Sequence, residues 1–328
     1  SRPLRTPTNQ MKLSEKTSLF TRLKRADRIL VAGAGGGFDV FAGLPLAVAL
    51  WEMGKQVHLA NLSFSRLDGL DLGVWVEQDV AAIGPETAAR DWYFPERSLA
   101  RWLEVHELPS TVYAFPKVGV SPLRAAYQVL VDRLSIEAIV LVDGGTDILM
   151  RGDEAGLGTP EEDMASLAAV HGLDVSEKIV VCLGFGVDAY HGVNHVQVLE
   201  NLAALDRDGA YLGAFSLPRA SRAAELYLDA VAYAQADAPA HPSIVNGSIA
   251  AALQGRFGDA HFTTRTSGSE LFINPLMALY FAVDADALAR RSLYLNRLEG
   301  TVLMRQISSI IEGFRAEITP RSPRAFPH

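Results

Sequence analysis

The run Ala138-Ile-Val-Leu-Val142 contains no polar residue and leads into Asp143-Gly-Gly-Thr-Asp147 and then Arg151-Gly-Asp-Glu154. An aspartate at the end of a buried strand is well placed as a metal ligand, a general base or an acceptor for a ribose hydroxyl. Arg151 can hold an anionic group through two parallel hydrogen bonds. Residues 143–159 form a stretch of seventeen with no clear helix or strand signal, carrying five ionisable groups and five glycines. Stretches of that length in a compact domain are mostly functional or disordered. Gly144, Gly145, Arg151 and Glu154 are therefore read as ligand contacts, and Asp143 and Asp147 as catalytic groups.

A second polar stretch follows the apolar run Lys178–Leu183. It reads Gly184-Phe-Gly-Val-Asp188-Ala-Tyr-His191-Gly-Val-Asn-His195. Two histidines four apart share a face if they lie on one helix, as zinc ligands often do. Gly192 interrupts that turn and no Glu follows the first His, so the metalloprotease pattern is missing. Asp188, His191 and His195 can join Asp143 or Asp147 around one divalent ion. Alternatively, one histidine is a general base oriented by an aspartate. Gly186 is read as a ligand contact beside them.

Two further stretches suit anions. Gly33-Ala-Gly-Gly-Gly-Phe-Asp39 follows the strand signal Arg28–Ala32, and its glycines can turn backbone N–H groups toward an anion beside a helix start. Gly33, Gly35, Gly36, Gly37 and Asp39 are the candidates, with Asn61 at the end of the neighbouring strand. Near the other end of the chain, Arg265, Thr266, Ser267 and Ser269 lie in a hydroxyl-rich segment before Glu270. Arg265 adds charge to a phosphate- or carboxylate-binding turn.

Several common chemistries are excluded as patterns. The dinucleotide fingerprint fails, because Phe38 or Val40 stands where its last glycine belongs. The acid expected at the end of the next strand is also missing, so standard NAD binding is not expected. No phosphate-binding G-x-x-x-x-G-K-[ST] motif occurs, and no G-x-S-x-G elbow surrounds Ser267 or Ser269. The single cysteine, Cys182, sits inside an apolar run and reads as core.

The elements that must position these residues alternate between strand and helix. Strand signals fall at 28–32, 56–61, 111–115, 138–142, 178–183 and 210–215, with a short one near 74–76. Helix signals fall between them, the first starting near Leu44 with Pro45 in its opening turn and another running over Val193–Leu205. The acids after Pro160 suit the first turn of a helix. Residues 285–297 and 301–315 read as two more helices. This alternation predicts an α/β fold: a doubly wound, mostly parallel, Rossmann-like sheet with a helical C-terminal elaboration. One domain is expected over 26–316, with an N-terminal arm over 1–25 and a loose tail over 317–328. In such sheets ligands bind beyond the carboxyl ends of the strands, where all the candidate residues fall.

Composition agrees. Of 328 residues, 49% are hydrophobic and 21% charged, which is unlike a disordered chain. Thirty Lys and Arg against 38 Asp and Glu give a net charge of −8, which argues against broad nucleic-acid binding. No apolar run reaches the ~20 residues of a membrane helix. Residues 1–20 have no apolar core of the secretory type, so a cytoplasmic protein is expected, and a homodimer on the base rate of symmetric assemblies.

Taken together, these segments resemble the domain-of-unknown-function family numbered 1152, found in archaea and bacteria. The resemblance rests on Gly35-Gly-Gly-Phe-Asp39, Asp143-Gly-Gly-Thr-Asp147 with Arg151-Gly-Asp-Glu154, Gly184-Phe-Gly-Val-Asp188 with His191, and Thr264-Arg-Thr266. It covers about residues 25–315 and implies no particular activity.

The residues themselves point first to a hydrolase or group transferase. Its small-molecule ligand would be nucleotide-like or otherwise anionic, and Asp and His would supply acid–base or metal chemistry. A non-catalytic nucleotide sensor and an oxidoreductase with an atypical nicotinamide or flavin mode are the alternatives.

Overall fold

The computed structural model describes residues 18–90, 92–259 and 271–327. Its first helix, α1 (Ser18–Leu23), precedes β1 (Arg28–Gly33), whose side chains are buried on both faces of a sheet. Leu30 and Ala32 pack to one side, and Ile29 and Val31 to the other. A strand covered on both sides must be apolar, which is why the run 29–32 shows no alternation of polar residues.

The chain then passes through α2 (Asp39–Ala42), α3 (Leu44–Glu52) and β2 (Gln56–Leu62). Two short strands, β3 (Trp75–Glu77) and β4 (Val80–Ile83), precede α4 (Pro95–Val105), β5 (Val112–Phe115) and α5 (Val120–Leu134). Next come β6 (Ala138–Gly144), α6 (Pro160–His171), β7 (Glu177–Leu183), α7 (His195–Arg207) and β8 (Tyr211–Ser216). The remainder holds α8 (Arg222–Asp237), α9 (Ile244–Leu253), β9 (Gly258–Asp259), β10 (Phe272–Ile273), β11 (Leu279–Asp284), α10 (Ala285–Arg291) and α11 (Met304–Glu317).

Nine strands form one sheet in the order β3-β4-β5-β2-β1-β6-β7-β11-β8. The five central strands, β5 to β7, are parallel to one another. β4 pairs antiparallel with β5 at one side and β11 antiparallel with β7 at the other. Helices α5, α6, α7, α10 and α11 cover one face, and α1, α3, α4 and α8 the other. The fold is therefore α/β with a large, mostly parallel sheet, as the alternation of signals predicts. From β1 the chain winds outward through β2 and β5, then returns to β6 on β1's other side. The boundary between β1 and β6 is thus a topological switch point, where the crossover connections diverge and leave a crevice at the carboxyl ends.

Four local expectations need correction. β11 reads as no element in the sequence, yet it lies inside the sheet between β7 and β8. The single helix expected over 285–297 is broken: Ser292 is extended, its Oγ accepts from Leu295 N–H at 3.1 Å, and Leu295–Leu298 forms a separate 3₁₀ turn. The helix expected from Val193 starts at His195 instead, where Asn194 caps it by accepting from Gln197 N–H. The segment after α11, expected to be loose, is tied down. Arg321 pairs with Asp153 at 3.1 Å and Glu200 at 2.7 Å, and the Ser322 carbonyl accepts from Gln197.

Candidate functional site

The turn after β1 cannot be built from ordinary residues. Gly36 takes a left-handed φ of +86°, and the Phe64 ring lies where its side chain would be. The turn delivers Asp39 as the first residue of α2. Its carboxylate faces inward, accepting from Gly35 N–H at 2.8 Å and from Gly144 N–H at 3.2 Å. Asp39 therefore links the ends of β1 and β6 across the switch point. Burial pushes its carboxyl up to about 7, against the opposing pull of those two N–H groups.

Four more aspartates gather beside it. Asp143, at the end of β6, accepts from Ile148 N–H at 3.1 Å. Asp147 accepts from Thr159 N–H at 3.0 Å, and Asp188 from Thr146 N–H at 2.8 Å. Asp163 reaches in from the first turn of α6, and its Oδ1 has no hydrogen-bond partner. All four are buried, Asp143 and Asp163 to 2% exposure. Burial, reinforced by the neighbouring carboxylates, holds Asp143, Asp163 and Asp188 well above the usual carboxylate range. Carboxylate oxygens of Asp39, Asp143 and Asp163 lie within 4.8 Å of one another. Among the described residues none of the five aspartates forms an ion pair with Lys, Arg or His.

A cavity of about 760 Å³ opens beside Asp39, the one aspartate of this cluster among its lining residues. Its floor is Gly36–Asp39, and Phe64, Tyr93 and Tyr190 supply aromatic walls. The start of α9, Ser243 to Val245, closes another side. Asn61 supports the floor from beneath: its Nδ2 donates to Gly37 O at 2.8 Å and to Glu96 Oε1 at 3.0 Å. Glu96 is fully buried, which raises its carboxyl to about 7.

The sequence candidates thus divide. Asp39, Asp143, Asp147, Asp188, Gly35, Gly36, Gly37 and Gly144 come together at the switch point, as the sheet-end rule anticipates. Gly33 ends β1 beside Asn61, its register partner. Gly145 donates from its backbone to Leu183 O at 2.8 Å, bridging β6 to β7. Gly186 forms the left-handed turn before Asp188. Asn61 buttresses the turn rather than facing a ligand.

The histidines do not share a helical face. His191 ends the 3₁₀ turn Val187–His191, Gly192 follows with φ +84°, and His195 opens α7, exposed. Among the described residues the carboxylates whose oxygens lie within 4.8 Å of one another are Asp39, Asp143 and Asp163, a group that shares only Asp143 with the expected set of Asp143, Asp188, His191 and His195. Glu154 belongs to a different knot. Its carboxylate accepts from Arg151 N–H, Gly152 N–H and Asn201 Nδ2, each within 3.0 Å. Arg315 clamps the carbonyls of Gly152 and Glu154 in the same knot, so Glu154 holds the loop's shape. Arg265, Thr266, Ser267 and Ser269 lie outside the described residues. Cys182 is buried in the sheet with its thiol pushed up by burial, as a core cysteine should be.

Two residues of the site escape sequence reading. Asp163 reads as one of three acids complementing the α6 dipole, and only the docking of α6 turns it inward. Glu96 sits one place after Pro95 and carries no signal beyond a helix start.

The sequence profile of the DUF1152 family, described as a protein of unknown function, matches residues 30–316. The chain belongs to the DUF1152 family. No curated protein and no solved structure matches it. The profile spans all nine strands of the DUF1152 sheet apart from the first two residues of β1, and all five clustered aspartates. Among the described residues no helix is long and apolar enough to cross a membrane.

Proposed function

We propose that this DUF1152 protein is a hydrolase or group transferase acting on a nucleotide-like or other anionic small molecule. The observation that carries the reading is the cavity of about 760 Å³ seated on Gly36–Asp39 at the switch point, where Asp39 belongs both to its lining and to the group of buried carboxylates. Cavities of this size suit a small molecule, and switch points are where α/β sheets bind them. Phe64, Tyr93 and Tyr190 offer flat apolar surface for a base or another ring. The first turn of α9 offers the positive end of a helix to an anionic group.

The chemistry follows from what surrounds that space. Aspartates are plentiful and fixed by backbone N–H groups, which orients them for acid–base work or for a metal. Thiol chemistry is disfavoured, because Cys182 is buried with its thiol raised. Hydride transfer is disfavoured by the missing dinucleotide fingerprint.

The test incubates the full chain with nucleoside mono-, di- and triphosphates and follows release of phosphate or nucleoside. Turnover is expected in the wild type, and Asp143→Asn should cut it by about a hundredfold or more. A thermal shift without any product would make the protein a ligand sensor. Neither shift nor product from the whole panel would overturn the reading.

A further inference from the structure

Burying five carboxylates together is unfavourable unless something compensates their charge. The protein does not supply that compensation with a base among its described residues. Lys117 is engaged with Glu162, the residue before Asp163, at 2.9 Å. What the protein does supply is orientation. Asp39 is pinned through both oxygens by Gly35 and Gly144, and Asp143 through one by Ile148. Backbone donors of this kind fix first ligands in metal sites, in the manner of an outer coordination shell.

Asp163 points independently to a ligand. It is 2% exposed, yet its Oδ1 has no hydrogen-bond partner. A buried carboxyl oxygen left open is rare and calls for an unseen partner. That oxygen faces Gly35 so closely that a Cβ there would lie 2.5 Å from it, so only glycine lets the turn after β1 approach it. Oxygens of Asp163, Asp39 and Asp143 all lie within 4.8 Å of each other, a spacing one ion can bridge.

We propose that Asp39, Asp143 and Asp163 bind one divalent hard cation of the magnesium or manganese class. The donor set contains only carboxylate oxygens, which selects hard cations over zinc or copper. Water and ligand oxygens would complete the coordination, since magnesium takes few protein ligands and keeps several waters. The cation also resolves a conflict in the cavity. An anionic ligand entering beside Asp39 would meet a cluster of like charge, and a bound divalent ion turns that repulsion into a bridge. The inference deepens the proposed function by naming its cofactor class, yet it stands on cation binding alone.

The test titrates the EDTA-treated full chain with manganese alone, following the free ion by electron paramagnetic resonance and the fold by thermal melting. One ion per chain should bind, with magnesium competing for it and the melting temperature rising. Asp163→Asn should weaken manganese binding by at least about tenfold. In EDTA this variant should melt no lower than the wild type, because it removes one buried like charge. Asp143→Asn provides a second variant if the first does not fold. Absence of manganese binding in the wild type would overturn the inference, as would unchanged binding in the variants. Manganese binding with no turnover of any nucleotide would leave the cation site standing and refute the enzymatic reading. Turnover undiminished in EDTA, together with no manganese binding, would do the reverse.

Discussion

Gly35 and Asp163 face each other across the switch point so closely that a methyl group on Gly35 would sit 2.5 Å from Asp163 Oδ1 and 2.8 Å from Asp39 Oδ2. No left-handed φ is needed at Gly35, so its glycine identity answers to proximity rather than to backbone conformation. Gly35→Ala should therefore force the carboxylates apart and cost about 1–3 kcal/mol, in the range of overpacked cores. Gly69→Ala is the matching control, because nothing lies within 4 Å of a Cβ there and its φ is ordinary. Chemical denaturation of the two variants checks this, with Gly69→Ala expected within about 0.5 kcal/mol of wild type. Equal stabilities would show that the carboxylates have room to spare.

Glu96 should make stability fall as pH rises. Burial lifts its carboxyl to about 7, from an ordinary 4.5 in the unfolded chain. Below about 4.5 both states hold the proton. Between 4.5 and 7 only the folded state does, so the fold loses stability through that window. The full loss, reached above pH 7, is about 3 kcal/mol at most. Glu96→Gln keeps an oxygen to accept from Asn61 and cannot ionise. Its stability relative to wild type should rise by up to that amount between pH 4.5 and pH 8, read from denaturant midpoints at both. Parallel pH profiles would show that Glu96 is ionised in the fold.

How far the sequence reveals this arrangement depends on whether a feature is local. The parallel strands are legible as short runs, apolar in β1, β6 and β7 above all, and the site loops follow because ligand sites fall where such strands end. Leu279-Tyr-Phe-Ala-Val-Asp284 is an equally apolar run, but its partners are β7 and β8. A short apolar run alone does not distinguish strand from helix. The spacing of His191 and His195 suggests a shared helical face, which the left-handed Gly192 removes. Asp163 illustrates the opposite failure. Its local role at a helix start is real, and its inward direction is set by α6 packing over β6 and against α5, residues distant in sequence.

Glu154 separates shape from chemistry within the loop after β6. Its buried carboxylate satisfies two backbone N–H groups and the Asn201 amide. Glu154→Ala strands those donors, and each costs about 1–3 kcal/mol when left unpaired. A loss of about 3 kcal/mol or more in urea denaturation is expected. Arg151→Ala removes only a half-buried side chain, so it should leave manganese affinity within about twofold of wild type, the scatter of distant, independent sites. Loss of manganese binding in Arg151→Ala would place that residue in the site after all.

Phe64 tests the cavity itself. Its ring lies against Gly36 and beneath Lys117, whose Nζ is 4.6 Å from the ring centroid. At 43% exposure it contributes little to the core, and its free surface forms a wall of the cavity. Removing the ring should therefore cost binding more than folding. Stacking of a base on an aromatic side chain is worth about 1–3 kcal/mol, or roughly five- to 150-fold in affinity. Phe64→Ala should lose most of any nucleotide-induced thermal shift while its melting temperature without nucleotide stays within about 3 °C of wild type, as expected for a partly exposed side chain. The apolar ring, rather than the charge nearby, is the element at issue, so Phe64→Tyr should restore the shift and Lys117→Ala should not mimic the loss. If Phe64→Ala binds nucleotides as the wild type does, the base does not stack on this wall, and the aromatic side of the cavity serves a different ligand.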